Sequence, residues 1–555
     1  MQPMNESSPR VRPLAWLLPA ALLACLGYFA TEAWLLSGDL GFPLDDSWIH
    51  LQFARNLAEG RGLAYNPGEL VTGSTAPLWT ALLALLFFLP GSVIVWTKLV
   101  GVVLHLAGVA ATWRLARGLG LGEGLASLAA VLTLATSWLV WSALSGMEIP
   151  LFVFLSLSGM ILHLKERADP GRPPLSAGVL AVAALARPEG LLLLVLALLD
   201  RCLVFDRDPE GGEGELVWRR PPLGSVLGGA ALAACALVGP ILFYRWAGGG
   251  FLPTTFAAKG GELRGLLPNL QYVDTVLGIL FRPQPYMVLL AGAGILALVE
   301  RLGTPRDRGL LPALWLIALP VVYSTMSPGS KGLLGNFGRY YFPFFPVLAV
   351  LGVLGLERAA AALGPRLQAG RLRLPVRVVL VVLILWPTLS TLAQGAARYA
   401  QNVANVQDSD VAAARWLAPW LHPDAVLAVN DIGALKFLLP NRVIDLAGIA
   451  NPEIRREVNR ALREHRPWEP VIAEELAKRR PDYLVIFPAW LPTLSQDPRF
   501  RPLYIIRIRD NITMGGDEVV VYATPWTRYP LQEPAAPISF PAPAGSTGPP
   551  ARIRR

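Results

Sequence analysis

Long apolar runs alternate with short charged loops over residues 1–398 of the chain. A helix needs roughly 20 apolar residues to cross the hydrocarbon core of a bilayer, so we predict about 11 membrane spans. They lie near 14–36, 93–113, 123–141, 147–164, 173–187, 190–205, 223–245, 286–301, 309–326, 341–357 and 378–396. The apolar segment 76–89 is shorter and ends at Pro90-Gly91, which favours a re-entrant or interfacial helix. If short segments of this kind also cross, the count rises to 12–13.

Beyond residue 398 the pattern changes to short strands that alternate with amphipathic helices. Strands are predicted at 425–429, 442–446, 482–487, 503–508 and 518–523, with helices at 408–421, 453–465 and 469–479. This part, 399–530, is predicted to be a small α/β domain. Residues 531–555 are rich in Pro, Ala and Gly, which is typical of a disordered tail.

Composition supports a polytopic α-helical membrane protein. Apolar residues make up 53% of the chain and charged residues 16%, with a mean hydropathy of +0.45. An ordinary soluble enzyme carries about 25% charged residues and is therefore excluded. The three cysteines, Cys25, Cys202 and Cys235, all fall in apolar segments, so no disulfide framework is predicted.

The basic residues of the chain are distributed unequally between the two sides of the membrane. The net charge is +9, and 19 Lys and Arg residues fall in the short loops on one side of the predicted spans, against eight in the longer loops opposite. This asymmetry places the first set of loops in the cytoplasm. We therefore expect a cytoplasmic N-terminus, an extracytoplasmic C-terminal domain and no nucleic-acid partner.

The first predicted outer loop, 37–75, contains the pair Asp45 and Asp46 ahead of an amphipathic helix. Ile49, Phe53 and Leu57 recur every four residues, which suits a helix lying in the membrane interface. We interpret Asp46 as the N-cap of this helix. Asp45 is then left as the better candidate for a general base.

Other polar residues stand at the predicted outer ends of the spans. Cations are found at Arg187, Lys259 and Arg339, and carboxylates at Glu148 and Glu189. Each one alone could simply reach the interface or a lipid phosphate. The chain has no GxGxxG after a strand, no GxxxxGK[ST] and no HExxH, so neither a nucleotide cradle nor a catalytic zinc site is predicted.

Six motifs in order resemble those of bacterial GT-C membrane glycosyltransferases. They are Asp45-Asp46-Ser47-Trp48-Ile49 with the loop to Trp79, Ser145-Gly146-Met147-Glu148, Ala186-Arg187-Pro188-Glu189-Gly190, Thr255 to Lys259, Arg339-Tyr340, and Asp431 to Gly433 with Arg442 to Gly448. The pattern is most similar to the terminal arabinofuranosyltransferases of mycobacterial cell walls. It is distantly similar to lipid A aminoarabinose transferases and protein O-mannosyltransferases.

The resemblance implies inverting transfer of a sugar from a polyprenyl-phosphate donor to a cell-envelope acceptor, which could be a glycan, a lipid or a protein. The enzyme would work on the outer face of a bacterial inner membrane, among membrane lipids. The implied residues are Asp45 and Asp46 in catalysis, Arg187, Lys259 and Arg339 on the donor phosphate, and His50, Arg55, Thr75, Trp79, Glu148, Glu189 and Tyr340 on substrate. A divalent metal at Asp45 and Asp46 is left open. The loop has Thr72-Gly73-Ser74 where the family often has an acidic residue, so neither the sugar nor the acceptor is inherited.

Two other functions stay open at the sequence level. A multi-span secondary transporter would favour inverted repeats and ionisable groups near the middle of the membrane. The sequence has no visible repeat, and its charges gather at one boundary. A non-catalytic lipid-glycan scaffold is the third alternative.

Overall fold

The structure is a computed structural model, and it describes residues 13–207, 216–248, 250–251, 269–326, 336–367 and 373–531. Lys259 and the predicted disordered tail, apart from Leu531, lie outside these residues.

The membrane part is built from helices joined by short loops. They are α1 (Leu14–Leu35), α2 (Asp45–Ala58), α3 (Pro77–Leu86), α4 (Val93–Gly118), α5 (Glu123–Ala135), α6 (Ser137–Leu144), α7 (Ile149–Ala168), α8 (Leu175–Ala186), α9 (Glu189–Cys202), α10 (Leu223–Gly248), α11 (Leu270–Phe281), α12 (Pro285–Glu300), α13 (Leu311–Met326), α14 (Phe344–Leu367) and α15 (Arg373–Val406). A hairpin of β1 (Phe205–Arg207) and β2 (Leu216–Trp218) precedes α10, and a 3-10 segment, Asn336–Tyr341, precedes α14.

The apolar helices confirm a multi-pass membrane protein. Among the described residues, α1, α4, α7, α10, α14 and α15 are long and apolar enough to cross, and the count reaches eight if α5–α6 and α11–α12 are each one bent span. Helix α3 has ten residues. At 1.5 Å per residue it is about 15 Å long, which is half of a hydrocarbon core of roughly 30 Å. The number of 11 spans stays a prediction.

Two parts of the membrane region differ from the sequence prediction. The segment 123–141 is not one straight span, because it bends by 56° between α5 and α6. Thr136, between the two helices, donates from Oγ1 to the Leu132 carbonyl at 2.6 Å and accepts from Gln284 Nε2 at 2.9 Å. Such side-chain bonds compete with helical ones. Helix α11 was not predicted at all, and it meets α12 at 113°.

A buried ion pair joins three helices of the membrane part. Lys98 Nζ on α4 lies 2.8 and 2.7 Å from the two carboxylate oxygens of Glu32 on α1 and 2.6 Å from the Tyr399 hydroxyl on α15. Glu32 also accepts from the backbone N–H of Gly41 at 3.0 Å. All the charges are thus paired, as a buried position requires.

The C-terminal part is a five-stranded mixed sheet with helices, as predicted. Its elements are α16 (Ala412–Leu417), β3 (Leu427–Val429), α17 (Gly433–Leu438), β4 (Val443–Asp445), α18 (Pro452–Arg463), α19 (Glu469–Arg479), β5 (Tyr483–Ile486), α20 (Pro492–Ser495), β6 (Arg501–Arg507) and β7 (Glu518–Ala523). The strand order is β4-β3-β5-β7-β6, with β4, β3 and β5 parallel and the last two strands antiparallel. Helix α17 was not predicted.

The C-terminal domain is fused to the membrane part through helix and core. Helix α15 continues through a π-helical turn, Gln407–Val411, into α16, so the predicted boundary at residue 398 lies inside a helix. Ile49 and Phe53 of α2 pack in one hydrophobic core with Val429 and Leu435 of the C-terminal domain. Two of the three residues of the apolar stripe predicted for α2 therefore face this domain, while Leu57 packs against the core of the membrane part. This packing fixes the position of the loop of residues 37–75.

Candidate active site

Helix α2 places its two aspartates differently from the sequence interpretation. The helix begins at Asp45, and its N-cap residue is Leu44, whose backbone is extended. Asp46 is therefore the second helical residue, and its assignment as the N-cap is wrong. Asp45 instead contacts the C-terminal domain, which is distant in sequence and invisible to a local rule for helix caps.

The Asp45 carboxylate accepts two backbone hydrogen bonds from the start of α17. Gly433 N–H donates to Oδ2 at 2.6 Å, and Ala434 N–H donates to Oδ1 at 2.7 Å. Burial raises the pKa of Asp45 to about 7, while these two donors act in the opposite direction. Asp45 thus joins the loop of residues 37–75 to the C-terminal domain, and it does not line the pocket described next.

A pocket lies where the loop of residues 37–75, the ends of several helices and the C-terminal domain meet. Eight of the predicted site residues line it: Asp46, His50, Thr75, Glu148, Arg187, Glu189, Arg339 and Tyr340. Ile49, Gly73, Ser74, Met147, Pro188, Tyr323 and Ile449 complete its wall. Residues separated by about 400 positions in the sequence thus converge on one polar site.

Arg187 is held in this pocket by two carboxylates. Its Nη1 lies 2.6 Å from Glu148 Oε1, and its Nη2 lies 2.8 Å from Glu189 Oε1. His50 Nε2 is 3.3 Å from the second oxygen of Glu148. Burial would raise the pKa of the Glu148 carboxyl, but Arg187 and His50 hold it below its ordinary range. Since Arg187, Glu148 and Glu189 are all buried, the two carboxylates compensate the charge of the guanidinium group.

Arg339 is the second cation of the pocket, and it is only partly engaged. Its Nη2 donates to Asp46 Oδ2. The residue is 4% exposed, and its Nη1 is buried with no hydrogen-bond partner among the described residues. A buried donor of this kind is costly unless something accepts from it. The Tyr340 ring lies beside both guanidinium groups, 5.0 Å from that of Arg187 and 5.9 Å from that of Arg339.

A tight turn ahead of Arg339 sets its position. Phe337 and Gly338 have left-handed backbone angles, with φ of 62° and 75°. Glycine is favoured at position 338 because of this positive φ, and a Cβ atom there would meet the end of the Ile279 side chain on α11. Helix α11 therefore supports the turn that carries Arg339.

Two further predicted site residues, Trp79 and Arg55, lie away from the pocket wall. Trp79 is fully buried, and its Nε1 donates to the Gly146 carbonyl at 3.0 Å, next to the loop that carries Glu148. Arg55 donates to the Phe437 carbonyl at 2.8 Å and lies 3.8 Å from the centre of the Phe437 ring. Lys259 lies outside the described residues.

Two residues of the pocket wall were missed by sequence reasoning. Tyr323 belongs to α13, which reads as a plain apolar span, although a tyrosine near the end of a span is itself a signal of the interface. Ile449 comes from the loop after β4, and no local pattern points to it.

The described carboxylates do not assemble a metal site. No group of three or more His, Cys, Asp or Glu side chains within the described ranges is placed to hold a metal ion. Asp45 and Asp46 bind different partners, the backbone of α17 and Arg339 respectively. The pair therefore does not fit the metal site that the sequence left open.

The overall arrangement is similar to that of ArnT from Cupriavidus metallidurans. The ArnT structure bound to undecaprenyl phosphate is 16% identical and has a TM-score of 0.56, with 92% of this chain and 98% of that chain covered. The apo ArnT structure covers the same shares at 15% identity and a TM-score of 0.54. The chain therefore shares the fold of ArnT. Similarity at this level of identity shows the fold alone.

A second solved protein and one family model are also similar to parts of this chain. An oligosaccharyltransferase from Archaeoglobus fulgidus, tethered to an acceptor peptide, is 12% identical over 92% of this chain and 77% of that chain, with a TM-score of 0.48. Residues 396–525 match the family described as "Domain of unknown function (DUF8728)". No curated protein matches the chain in sequence.

Proposed function

We propose that this chain is an inverting glycosyltransferase that moves a sugar from a polyprenyl-phosphate donor to an acceptor outside the cytoplasm. The observation that carries the proposal is the buried Nη1 of Arg339, which lacks a hydrogen-bond partner among the described residues and belongs to a pocket that also contains the Asp46 carboxylate. A cation for a phosphate and a carboxylate for a proton are what this transfer requires. The GT-C fold, shared with an ArnT structure bound to undecaprenyl phosphate, supports this choice of donor.

The proposed reaction is a single displacement. The acceptor hydroxyl oxygen attacks the anomeric carbon of the donor sugar from the face opposite the phosphate. Its proton passes to the Asp46 carboxylate, and the bond between the anomeric carbon and the phosphate oxygen breaks with its electron pair. The departing polyprenyl phosphate takes on negative charge, which Arg339 stabilises. The anomeric configuration is inverted.

The remaining pocket residues act in supporting roles in this proposal. Arg187 already makes hydrogen bonds to Glu148 and Glu189, so we assign the three to a rigid wall beside the phosphate site. His50, Thr75 and Tyr340 line the space left for sugar hydroxyls. We assign Asp45 to positioning, because both of its oxygens are occupied by backbone N–H groups.

The proposed setting is a bacterial inner membrane with 11 spans, a cytoplasmic N-terminus and an extracytoplasmic C-terminal domain. The acceptor would be a cell-envelope glycan, lipid or protein, as for the terminal arabinofuranosyltransferases that the motifs resemble. Single cysteines at the exposed positions Glu59 and Arg456 should be labelled from outside intact cells, whereas cysteines at the exposed positions Asp169 and Arg306 should not. The opposite labelling would overturn the orientation.

A transfer assay with purified protein in liposomes tests the function. With endogenous lipid carriers removed, a synthetic polyprenyl-phosphate sugar should be consumed and a new glycosidic bond formed in the presence of a cell-envelope extract. A nucleotide sugar should give no product. Movement of a free solute across the bilayer without a covalent product would instead favour the transporter.

A further inference from the structure

A second pocket lies in the outer domain, at the carboxyl ends of its three parallel strands. Asn430 follows β3, Ala447 follows shortly after β4, and Trp490 follows β5. Arg455 of α18 and Trp468, the N-cap residue of α19, close the pocket. Strand β3 is central, with β4 on one side and β5 on the other, and ligands of α/β sheets bind at such an edge.

Two tryptophans border this pocket with much of their surface uncovered. Trp468 is 37% exposed and Trp490 is 42% exposed. The Trp490 ring is fixed, because its Nε1 donates to the Gly515 carbonyl at 3.0 Å. An indole held in place beside a cavity offers a flat apolar face without losing side-chain freedom when a ligand binds.

The inner end of the pocket is polar. Asn430 is 6% exposed and its Oδ1 accepts from the Phe487 backbone N–H at 3.1 Å. Its Nδ2 is buried and has no hydrogen-bond partner among the described residues. Since an unsatisfied buried amide donor is costly, a ligand oxygen is the natural acceptor for it. Arg455 also lines the pocket, and its charge is offset by Asp445.

Size and charge narrow the class of ligand. The volume is about 190 Å³. It is smaller than the roughly 300–1,000 Å³ of pockets for drug-sized ligands, so a single ring fits better than an extended molecule. No carboxylate is among the described residues that line the pocket. A small neutral ring with hydroxyl groups matches the aromatic border and the amide donor at once.

We infer that this pocket binds one neutral sugar residue of a glycan. That the glycan is the acceptor of the transfer rests on the proposed function. The inference gives the domain of residues 396–525 a role, namely to hold the acceptor glycan while a neighbouring residue of the same glycan enters the membrane pocket.

One loop connects the two pockets and supports this role. Ala447 lines the tryptophan pocket, and Ile449, two residues later, lines the pocket of Asp46. Asp445 holds the loop rigid, accepting from the backbone N–H groups of Ala447 at 2.8 Å and Ala450 at 2.6 Å. A sugar bound at one end of this loop therefore places its chain close to the proposed base at the other end.

Saturation-transfer NMR on the full-length protein in nanodiscs tests the inference. The probes are neutral oligosaccharides of two to six residues built from galactose, mannose or arabinose, without any donor. At least one should receive saturation. Trp468→Ala, which removes an indole face, and Ala447→Leu, which fills the pocket, should each weaken its binding by about tenfold.

The matched control is Trp526→Ala. Trp526 is a half-buried tryptophan of the same domain that packs on Phe500 outside the pocket, so its loss should leave oligosaccharide binding unchanged. Absence of binding for all probes, or binding that survives both pocket variants, would overturn the inference. Because no donor or transfer is involved, this result is independent of whether the chain is a glycosyltransferase. If transfer is observed, Trp468→Ala should raise the KM for a hexasaccharide acceptor and leave that for a monosaccharide unchanged.

Discussion

Replacing each aspartate of the first outer loop by asparagine should have opposite consequences. In Asp45→Asn, the side-chain oxygen can still accept one of the two backbone hydrogen bonds from α17. The new amide nitrogen must face the other N–H group, and a buried N–H without an acceptor costs about 1–3 kcal/mol. Removal of a buried charge offsets part of this cost, so we expect a net loss of stability below about 3 kcal/mol.

Asp46→Asn should affect the chemistry instead. The substitution leaves the α17 contact intact and removes the carboxylate that lines the pocket and pairs with Arg339. General base catalysis contributes typically about 10²–10⁴-fold, so kcat should fall by a factor in that range. In Asp45→Asn, kcat should stay within about tenfold of wild type at temperatures well below unfolding.

The assay pairs thermal unfolding in nanodiscs with transfer from a synthetic polyprenyl-phosphate sugar. We expect a lowered melting temperature and retained transfer for Asp45→Asn, and lost transfer for Asp46→Asn. If Asp45→Asn abolished transfer without lowering the melting temperature, Asp45 would be the base after all. Our reasoning from the α17 contact would then be refuted.

Three further predictions concern the charged residues. Arg339→Gln should weaken binding of polyprenyl phosphate by about 10- to 100-fold, since a hydrogen bond to a charged group is worth about 1.5–3 kcal/mol. Native mass spectrometry measures this lipid binding, and Arg187→Lys should show a smaller loss. Burial raises the pKa of Asp45 from 3.8 to about 7, so its contribution to stability is present below pH 3.8 and is lost as the pH rises through about 7. Between these two pH values the melting temperature should therefore fall more in wild type than in Asp45→Asn. Lys98→Met should destabilise by about 3–5 kcal/mol by leaving the buried Glu32 charge without a cation, and adding Glu32→Gln should restore much of that loss; equal stability of the single and double variants would contradict this.

The membrane class and the outer domain follow from the sequence because their signals are local. Apolar runs mark the long helices, and four of the five strands show the short, apolar pattern of a buried sheet, whereas the edge strand β6 is largely exposed. The shape of the membrane part depends on contacts between residues that are distant in the sequence. The bend at Thr136 depends on Gln284, which is 148 positions away, and the short helix α11 is separated from α12 only by a tight corner.

The same distinction applies to the site. Glu148, Arg187 and Arg339 can be identified from the sequence because they are charged residues at the ends of apolar runs, where a charge is costly and usually has a function. The different contacts of Asp45 and Asp46 are not visible in the sequence, since Asp45 is bound by backbone N–H groups of Gly433 and Ala434. A local rule for helix caps therefore chose Asp46 as the N-cap, whereas the helix begins at Asp45 after the cap residue Leu44.

A cryo-electron microscopy structure of the protein with polyprenyl phosphate bound would test the central claim most directly. The account predicts the phosphate in the pocket of Asp46, with one of its oxygens about 3 Å from Arg339 Nη1 and the lipid tail leaving toward the membrane. A phosphate bound elsewhere, with Arg339 still paired only to Asp46, would contradict the account.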